Sequence, residues 1–247
     1  MRTLTLKELD ERASLQRRVD RKYLVPVDLF RRVVSELEDG YEVLEIDGER
    51  SFGYESIYFD TAELLCFRQH VEDERPRFKA RTRLYAATQA CVFEVKVKTA
   101  DGTMDKRHLE RSPSEHGKMD SSTRSFLDEV IGASGFDAVA EGVEPSLTTR
   151  FIRRTFAARE GTERVTCDSR VEMLRPDGSA AWLSDDRILV ESKSEDGEGA
   201  WDEALARKGV EPVSLSKYRV GHSLLGADDP EEPLPPWGRR LFSVRAS

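Results

Sequence analysis

Alternating basic and apolar side chains over several short stretches are the feature that most constrains this chain. In 77–85, RFKARTRLY, four basic residues occupy every second position: Arg77, Lys79, Arg81 and Arg83. Successive side chains of a β-strand point to opposite faces, so these four would share one face of a sheet. Three other stretches alternate in the same way, with these polar faces: Glu94, Lys96 and Lys98 in 91–98; Arg164, Asp168 and Arg170 in 163–170; Arg187, Glu191 and Lys193 in 187–193.

Two architectures account for such a pattern. An antiparallel sheet with one face in water gives it, because the charges are then simply solvated. A closed barrel with a polar interior also gives it. The polar face recurs on four strands and bases outnumber acids, which favours the barrel. Cations confined in its lumen would repel one another unless an anion lies among them. A polyanion with several phosphates suits Arg and Lys donors, and the interspersed carboxylates could hold Mg²⁺ or Mn²⁺ against it.

Length and composition exclude several classes of protein. The 247 residues suit one large domain or two small ones, and we expect a single domain over 1–226 with an extended Pro-rich tail over 227–247. The net charge of −8 argues against a nucleic-acid partner. No apolar stretch reaches the ~20 residues of a membrane span, and no secretion signal is visible. Three widely spaced cysteines predict free buried thiols in a cytoplasmic protein. The sequence does not indicate a protein partner.

Hydrophobic periodicity predicts a chain rich in strands with short helices between them. The predicted strands are 54–59, 77–85, 91–98, 103–110, 146–157, 163–170 and 187–193. The predicted helices are 27–38, 61–70, 121–131, 200–208 and 216–225.

Eight short motifs, in order along the chain, resemble those of the VTC domain, the polyphosphate-polymerase-like branch of the triphosphate tunnel metalloenzymes. They are 18–23 (RVDRKY, like R-x-E-x-K-Y), 56–61 (SIYFDT, like S-x-Y-F-D-T), 81–85 (RTRLY, like R-x-R-x-Y), 93–96 (FEVK, like F-E-x-K), 145–153 (like P-x-x-x-x-x-Y-x-R), 164–168 (RVTCD, like R-x-T-x-D), 189–193 (LVESK, like L-E-x-K) and 216–218 (SKY, like S-K-Y/F). The resemblance covers about 17–225. Each motif alone is weak, but eight in the right order are specific together.

The resemblance implies an α+β fold: a closed antiparallel β-barrel tunnel with a polar, cation-lined interior and short helices packed outside. It implies phosphate ligands at Lys22, Arg81, Arg83, Lys96, Arg153, Arg164 and Lys217, with Lys98 and Lys193 as further binding residues. Glu191 is the expected metal ligand, and Glu94 is left open between a metal ligand and an ion-pair partner. Asp168 is interpreted as a side chain that holds Arg164 in place. Arg150 and Arg154, of opposite parity to Arg153, are expected at the surface.

Three functions remain open at this point. In the first, the protein binds polyphosphate or a nucleoside triphosphate and, with Mg²⁺ or Mn²⁺, transfers the γ-phosphate to a polyphosphate chain. In the second, it hydrolyses triphosphates, with Glu94 positioning a water molecule. In the third, it only binds polyphosphate. Asp20 replaces the usual Glu and Phe151 the common Tyr, which favours phosphate-chain binding over polymerisation. No glycine-rich phosphate loop or nucleophile motif occurs, so binding would depend on side chains.

Overall fold

The predicted strands and helices can be compared with a computed structural model of the chain, which describes residues 1–12, 19–136, 140–226 and 234–247. The described strands are β1 (Arg2–Leu4), β2 (Val19–Pro26), β3 (Tyr41–Leu44), β4 (Phe52–Asp60), β5 (Arg77–Tyr85), β6 (Ala90–Lys98), β7 (Met104–Arg111), β8 (Glu144–Ala158), β9 (Arg164–Leu174), β10 (Ala180–Leu183), β11 (Arg187–Ser194) and β12 (Phe242–Arg245). The described helices are α1 (Leu6–Arg12), α2 (Val27–Glu36), α3 (Leu65–Val71), α4 (Ser121–Gly132), α5 (Ala200–Arg207), α6 (Lys217–Leu224) and α7 (Pro236–Leu241), with short 3₁₀ turns at Pro113–Glu115 and Ala140–Gly142.

All seven predicted strands and all five predicted helices are confirmed, with small differences at their ends. The largest difference in a helix is at α3, which begins four residues later than predicted. The Asp60 carboxylate accepts hydrogen bonds from the backbone N–H groups of Thr61, Cys66 and Phe67, at 2.8, 2.8 and 3.1 Å. Leu64 adopts a left-handed conformation with φ of 56°. The carboxylate therefore caps a helix that starts only after this turn.

The chain divides into two units, and the first is Met1–Gly53, Phe151–Val171 and Leu183–Leu215. Its sheet joins β11 to β2 and β9 in antiparallel register, while β3 pairs with β1 and β8. Apolar side chains of these strands, including Tyr23, Val165 and Val190, pack around the fully buried Trp201 of α5. Because their sequence neighbours point to the other face, the charged residues of β2, β9 and β11 share one side of this sheet.

The second unit is Tyr54–Arg150, Glu172–Trp182 and Ser216–Ser247. The strand order that runs through it is β12-β10-β9-β8-β4-β5-β6-β7. On β5, Phe78, Ala80 and Thr82 are buried and the basic residues between them are not, as the alternation predicts. The apolar face of β6 is covered by α4, where the Phe93 and Phe126 rings lie 6.1 Å apart.

The α+β class and the large antiparallel sheet are confirmed. Closure of the sheet into a barrel is not. Hydrogen bonds among the described residues do not join the two ends of the strand order, β12 and β7. In the described part of the chain, no helix is long and apolar enough to cross a membrane.

The C-terminal segment differs from the extended tail that the sequence predicts. Residues 227–233 lie outside the described residues, but α7 and β12 follow them. Pro236 opens α7, a position where the missing N–H costs nothing. Leu234 and Phe242, on either side of the helix, are buried. Burial of these two apolar side chains explains why a Pro-rich stretch still ends in regular structure.

The three cysteines, Cys66, Cys91 and Cys167, are free and buried, as predicted.

Candidate functional site

Charged side chains of β5 and β6 form one cluster in the second unit, which we call the β5–β6 cluster: Lys79, Arg81, Arg83, Glu94 and Lys96, with Tyr58 of β4. Strand register places Arg81 directly opposite both Glu94 and Tyr58. The Arg81 guanidinium donates to Glu94 Oε2 at 2.7 Å and to the Tyr58 hydroxyl at 2.9 Å. Arg83 lies 3.8 Å from the same Glu94 oxygen and donates to Ser56 Oγ at 3.1 Å. Sequence parity and cross-strand register together bring these groups into one place.

Glu94 is the electrostatic centre of this cluster. It is only 4% exposed, and Lys106 of β7 contacts its second oxygen. Burial alone would raise the pKa of Glu94, but the charges of Arg81, Arg83 and Lys106 outweigh it and hold that pKa far below its usual range. Glu94 is therefore an ionised counter-charge and a very weak base.

Tyr58 is a functional candidate that the sequence reasoning missed. Burial would raise the pKa of its phenol, yet Arg81, Arg83 and Lys217 lower it overall. Its oxygen accepts from Arg81, which leaves the hydroxyl proton available to a ligand. The sequence reasoning selected charged residues that alternate along a strand, and an uncharged tyrosine does not contribute to that pattern.

Lys217, predicted to begin a helix, is the first residue of α6. The helix is fixed by its neighbours: the Ser216 side chain caps it, and the Tyr218 hydroxyl donates to Asp60. The effect of Lys217 on the pKa of Tyr58 places its charge near the β5–β6 cluster.

The other predicted lysines of the second unit differ in position. Lys96 is exposed and lies opposite Lys79 and Lys106 in the register. Lys98 lies 3.9 Å from Asp73, at the end of the strand where Arg77 also pairs with Asp73. Lys98 is therefore part of a separate ion-pair group.

A second cluster lies in the first unit and consists of Asp20 and Lys22 of β2 with Glu191 and Lys193 of β11; we call it the β2–β11 cluster. Register pairs Lys22 with Glu191 and Asp20 with Lys193. Glu191 Oε1 lies 3.3 Å from Lys22 Nζ and 2.8 Å from Lys193 Nζ, and Lys193 also binds Asp20 Oδ2 at 3.0 Å. Burial opposes ionisation of Glu191, but Lys193 and Lys22 hold its pKa far below the usual range.

Arg153 and Arg164 lie in the same unit as the β2–β11 cluster. Arg153 forms a two-pronged ion pair with Asp168, at 2.6 and 2.8 Å, and its guanidinium lies 5.0 Å from the centre of the Phe151 ring. Arg164 is directly opposite Lys193 in the register. The Asp168 carboxylate thus orients Arg153 across the two strands, a pairing that the sequence did not predict. That Asp168 also holds Arg164 stays a prediction. Arg150 and Arg154 are exposed, as predicted. Arg18 lies outside the described residues.

A divalent metal can be tested against these carboxylates. Among the described residues, no three His, Cys, Asp or Glu side chains are grouped closely enough to hold a metal by themselves. Mg²⁺ commonly needs only one or two protein carboxylates when phosphate oxygens and water complete its shell. The β2–β11 cluster meets this requirement, because Asp20 and Glu191 both bind the Lys193 ammonium. Glu94 fits less well, since two arginines and a lysine already surround it.

The order and chemistry of these residues agree with a family comparison. A model of the VTC domain matches residues 17–225. The chain belongs to the VTC domain family. No curated protein matches its sequence.

Two solved structures show how the fold of this VTC domain compares. HpAC1 from Hippeastrum, described as a candidate adenylyl cyclase with a dominant triphosphatase activity, has a TM-score of 0.56 and 18% identity over 89% of this chain and 98% of that one. A candidate adenylate cyclase from Bacillus halodurans has a TM-score of 0.51 and 16% identity over 81% of this chain and 94% of that one. At such identities the similarity establishes a shared fold.

Proposed function

We propose that this VTC domain binds the phosphate chain of a nucleoside triphosphate or polyphosphate and transfers a terminal phosphoryl group from a nucleoside triphosphate to polyphosphate. The observation that carries the proposal is the excess of cations in the β5–β6 cluster. Lys79, Arg81, Arg83 and Lys96 share its face with the single carboxylate Glu94 in the described register. A polyanion would satisfy this excess through forked and point-charge contacts to its phosphate oxygens.

Transfer between phosphates suits these residues better than hydrolysis does. The attacking oxygen of a terminal phosphate is already anionic at neutral pH, so no general base is required. The bond from the γ-phosphorus to the β-bridging oxygen breaks as a new bond to the attacking phosphate forms. Arg81 and Arg83 would position the chain and neutralise the charge that moves to the leaving group. A hydrolase instead needs a positioned water, and the strongly lowered pKa of Glu94 makes that carboxylate a poor base.

Triphosphate hydrolysis is the second candidate. It is favoured by the fold shared with HpAC1, the protein described with a dominant triphosphatase activity. A non-catalytic polyphosphate-binding module would need the same cations.

A metal site in the first unit is the second part of the proposal. We assign Glu191, with Asp20 beside it, as the protein's contribution to an Mg²⁺ or Mn²⁺ site. When bound, the ion would supply charge neutralisation and orientation of the phosphate oxygens. Lys22 and Lys193 would then be free to turn from the carboxylate toward phosphate. The closed tunnel and the single domain over 1–226 that the sequence predicts also remain parts of this proposal.

Incubation of the purified chain with ATP and Mn²⁺ tests the function. Acid-stable long chains are the expected product. Free orthophosphate without chains would instead establish a triphosphatase. Neither product, together with a raised melting temperature in tripolyphosphate, would establish a binding module. The matched control is Arg81→Gln, which should lose product and ligand response alike.

A further inference from the structure

Lys79 is a cation of the second unit that no motif assigns to the site. Its ammonium donates to Ser216 Oγ at 3.3 Å and lies 5.3 Å from the centre of the Tyr218 ring. Among the described residues it has no carboxylate within ion-pair distance. Arg77 and Arg81, two residues away on the same face, differ in this respect: they pair with Asp73 and Glu94 at 2.6 and 2.7 Å.

The surroundings of Lys79 make its charge costly in the ligand-free protein. Removal from water lowers its pKa first, and the nearby cations Lys96, Arg77 and Arg81 lower it further, to well below the ordinary value. Lys96 is its direct cross-strand partner. The Tyr218 ring and the Ser216 hydroxyl offset this cost only in part, because neither carries a negative charge.

A position with these properties suits a negatively charged ligand. The Ser216 oxygen accepts from Lys79 and from the backbone N–H of Arg219, so its own proton is available to an incoming oxygen. Lys79 and Ser216 thus present an ammonium and a hydroxyl donor side by side. Lys217 follows directly in sequence. The charged groups that act most strongly on Lys79 are the cations Lys96, Arg77 and Arg81.

We propose that Lys79, together with the Ser216 hydroxyl, is a further phosphate-binding subsite, which holds one phosphate group of the chain that Arg81 and Arg83 hold next to it. This inference rests on the proposed phosphate-chain function and adds a residue to it.

Two substitutions of Lys79 separate binding from a structural role. Lys79→Met keeps the apolar stem and removes the ammonium. Lys79→Gln also removes the charge but can still donate to Ser216 Oγ. Calorimetric titration with tripolyphosphate in the absence of metal is expected to show roughly ten- to hundredfold weaker binding for both variants, the scale of a lost charged hydrogen bond. Without ligand, Lys79→Met should melt at or above the wild-type temperature, because a half-buried ammonium with cationic neighbours is gone.

Arg77→Gln is the matched control. It removes a cation from the same face of the same strand, but one that Asp73 already neutralises, so its affinity should stay within about threefold of wild type. Affinity within threefold of wild type in a folded Lys79 variant would overturn the inference. Should Lys79→Met fail to fold, the same criterion applies to Lys79→Gln.

Failure of the inference can be distinguished from failure of the proposed function. If the wild-type protein does not bind tripolyphosphate at all, the proposed function is wrong. If the wild type binds and Arg81→Gln weakens binding while both Lys79 variants bind normally, only the Lys79 subsite is wrong.

Discussion

Substitution of Glu94 by Gln would separate the stability of the β5–β6 cluster from its affinity for phosphate. Glu94 is buried and shares its oxygens among Arg81, Arg83 and Lys106. Breaking a buried ion pair by removing one partner typically costs about 3–5 kcal/mol of unfolding free energy. Gln keeps an oxygen that can accept from Arg81, so the expected loss is near the lower limit, about 3 kcal/mol. For a chain of this size that loss lowers the melting temperature by roughly 6–12 °C.

The same substitution should strengthen phosphate binding. In the wild type, a phosphate must compete with Glu94 for Arg81 and Arg83, and it is also repelled by the carboxylate. A unit charge about 6 Å away contributes roughly 0.7–3 kcal/mol at effective dielectric constants of 80 to 20. Removing this repulsion should tighten tripolyphosphate binding at least threefold. Ligand should therefore raise the melting temperature of Glu94→Gln by more than it raises that of the wild type.

Scanning calorimetry and titration with tripolyphosphate, both in chelator to remove metal, would measure the two effects. Glu110→Gln is the control, since Glu110 is an exposed acid on the neighbouring β7 and should change neither quantity. A Glu94→Gln protein as stable as wild type would refute the counter-charge argument. Weaker rather than tighter binding in chelator would show that Glu94 itself helps to hold the ligand.

Three further outcomes are expected. Arg81→Ala should weaken tripolyphosphate binding by about 1.5–3 kcal/mol in calorimetric titration, and an unchanged Kd would remove Arg81 from the site. Glu191→Gln should still bind tripolyphosphate without metal but lose Mn²⁺-dependent turnover of ATP; full turnover would contradict the metal assignment. Burial lowers the pKa of His222 from 6.5 to about 4, so the unfolded chain takes up its proton first as the pH falls. Unfolding free energy should therefore decrease between pH 6.5 and 4, by up to about 1.4 kcal/mol per pH unit from this group. In urea unfolding, His222→Gln should reduce this slope and the exposed His108→Gln should not; equal slopes would reject the burial argument.

Much of the fold could be predicted because a strand with one buried face has an apolar residue at every second position. In 77–85, the buried Phe78 and Ala80 alternate with charged neighbours, and the predicted strand has the same limits as β5. The strands β1, β3 and β10 were missed because three or four residues are too few to show a period. The eight-residue β2 was missed as well, because its consecutive residues Tyr23, Leu24 and Val25 are all buried and do not alternate. The C-terminal α7 and β12 were missed because the prediction was based on the many prolines of this segment and not on Leu234 and Phe242, the two buried apolar residues beside the helix.

The sequence predicted which face of a strand each site residue lies on, but not which residue of the neighbouring strand it contacts. Parity placed Arg81 and Arg83 on one side of a strand, and the structure agrees. Alternation within a strand does not give the register between β4 and β5, because the intervening loop and α3 set that register. The position of Tyr58 opposite Arg81 could therefore not be predicted. For the same reason, the pairing of Asp168 with Arg153 could not be read from the sequence.

The distribution of acids among these cations also bears on the size of the ligand. Glu94 in the β5–β6 cluster and Glu191 in the β2–β11 cluster are ionised and neutralise the Arg and Lys side chains that they contact. A ligand must therefore displace a carboxylate from each of those cations. A single phosphate, with at most two negative charges near neutral pH, would exchange one such pair for another at little gain. A triphosphate or longer chain contacts several cations in one molecule, and only its first contact pays the entropy of association. Because no carboxylate of the described residues lies within ion-pair distance of Lys79, a phosphate group that reaches it would add its interaction without that competition. Under the proposed function, this arrangement is expected to favour chains of phosphates over orthophosphate, even though each individual contact has the same chemistry.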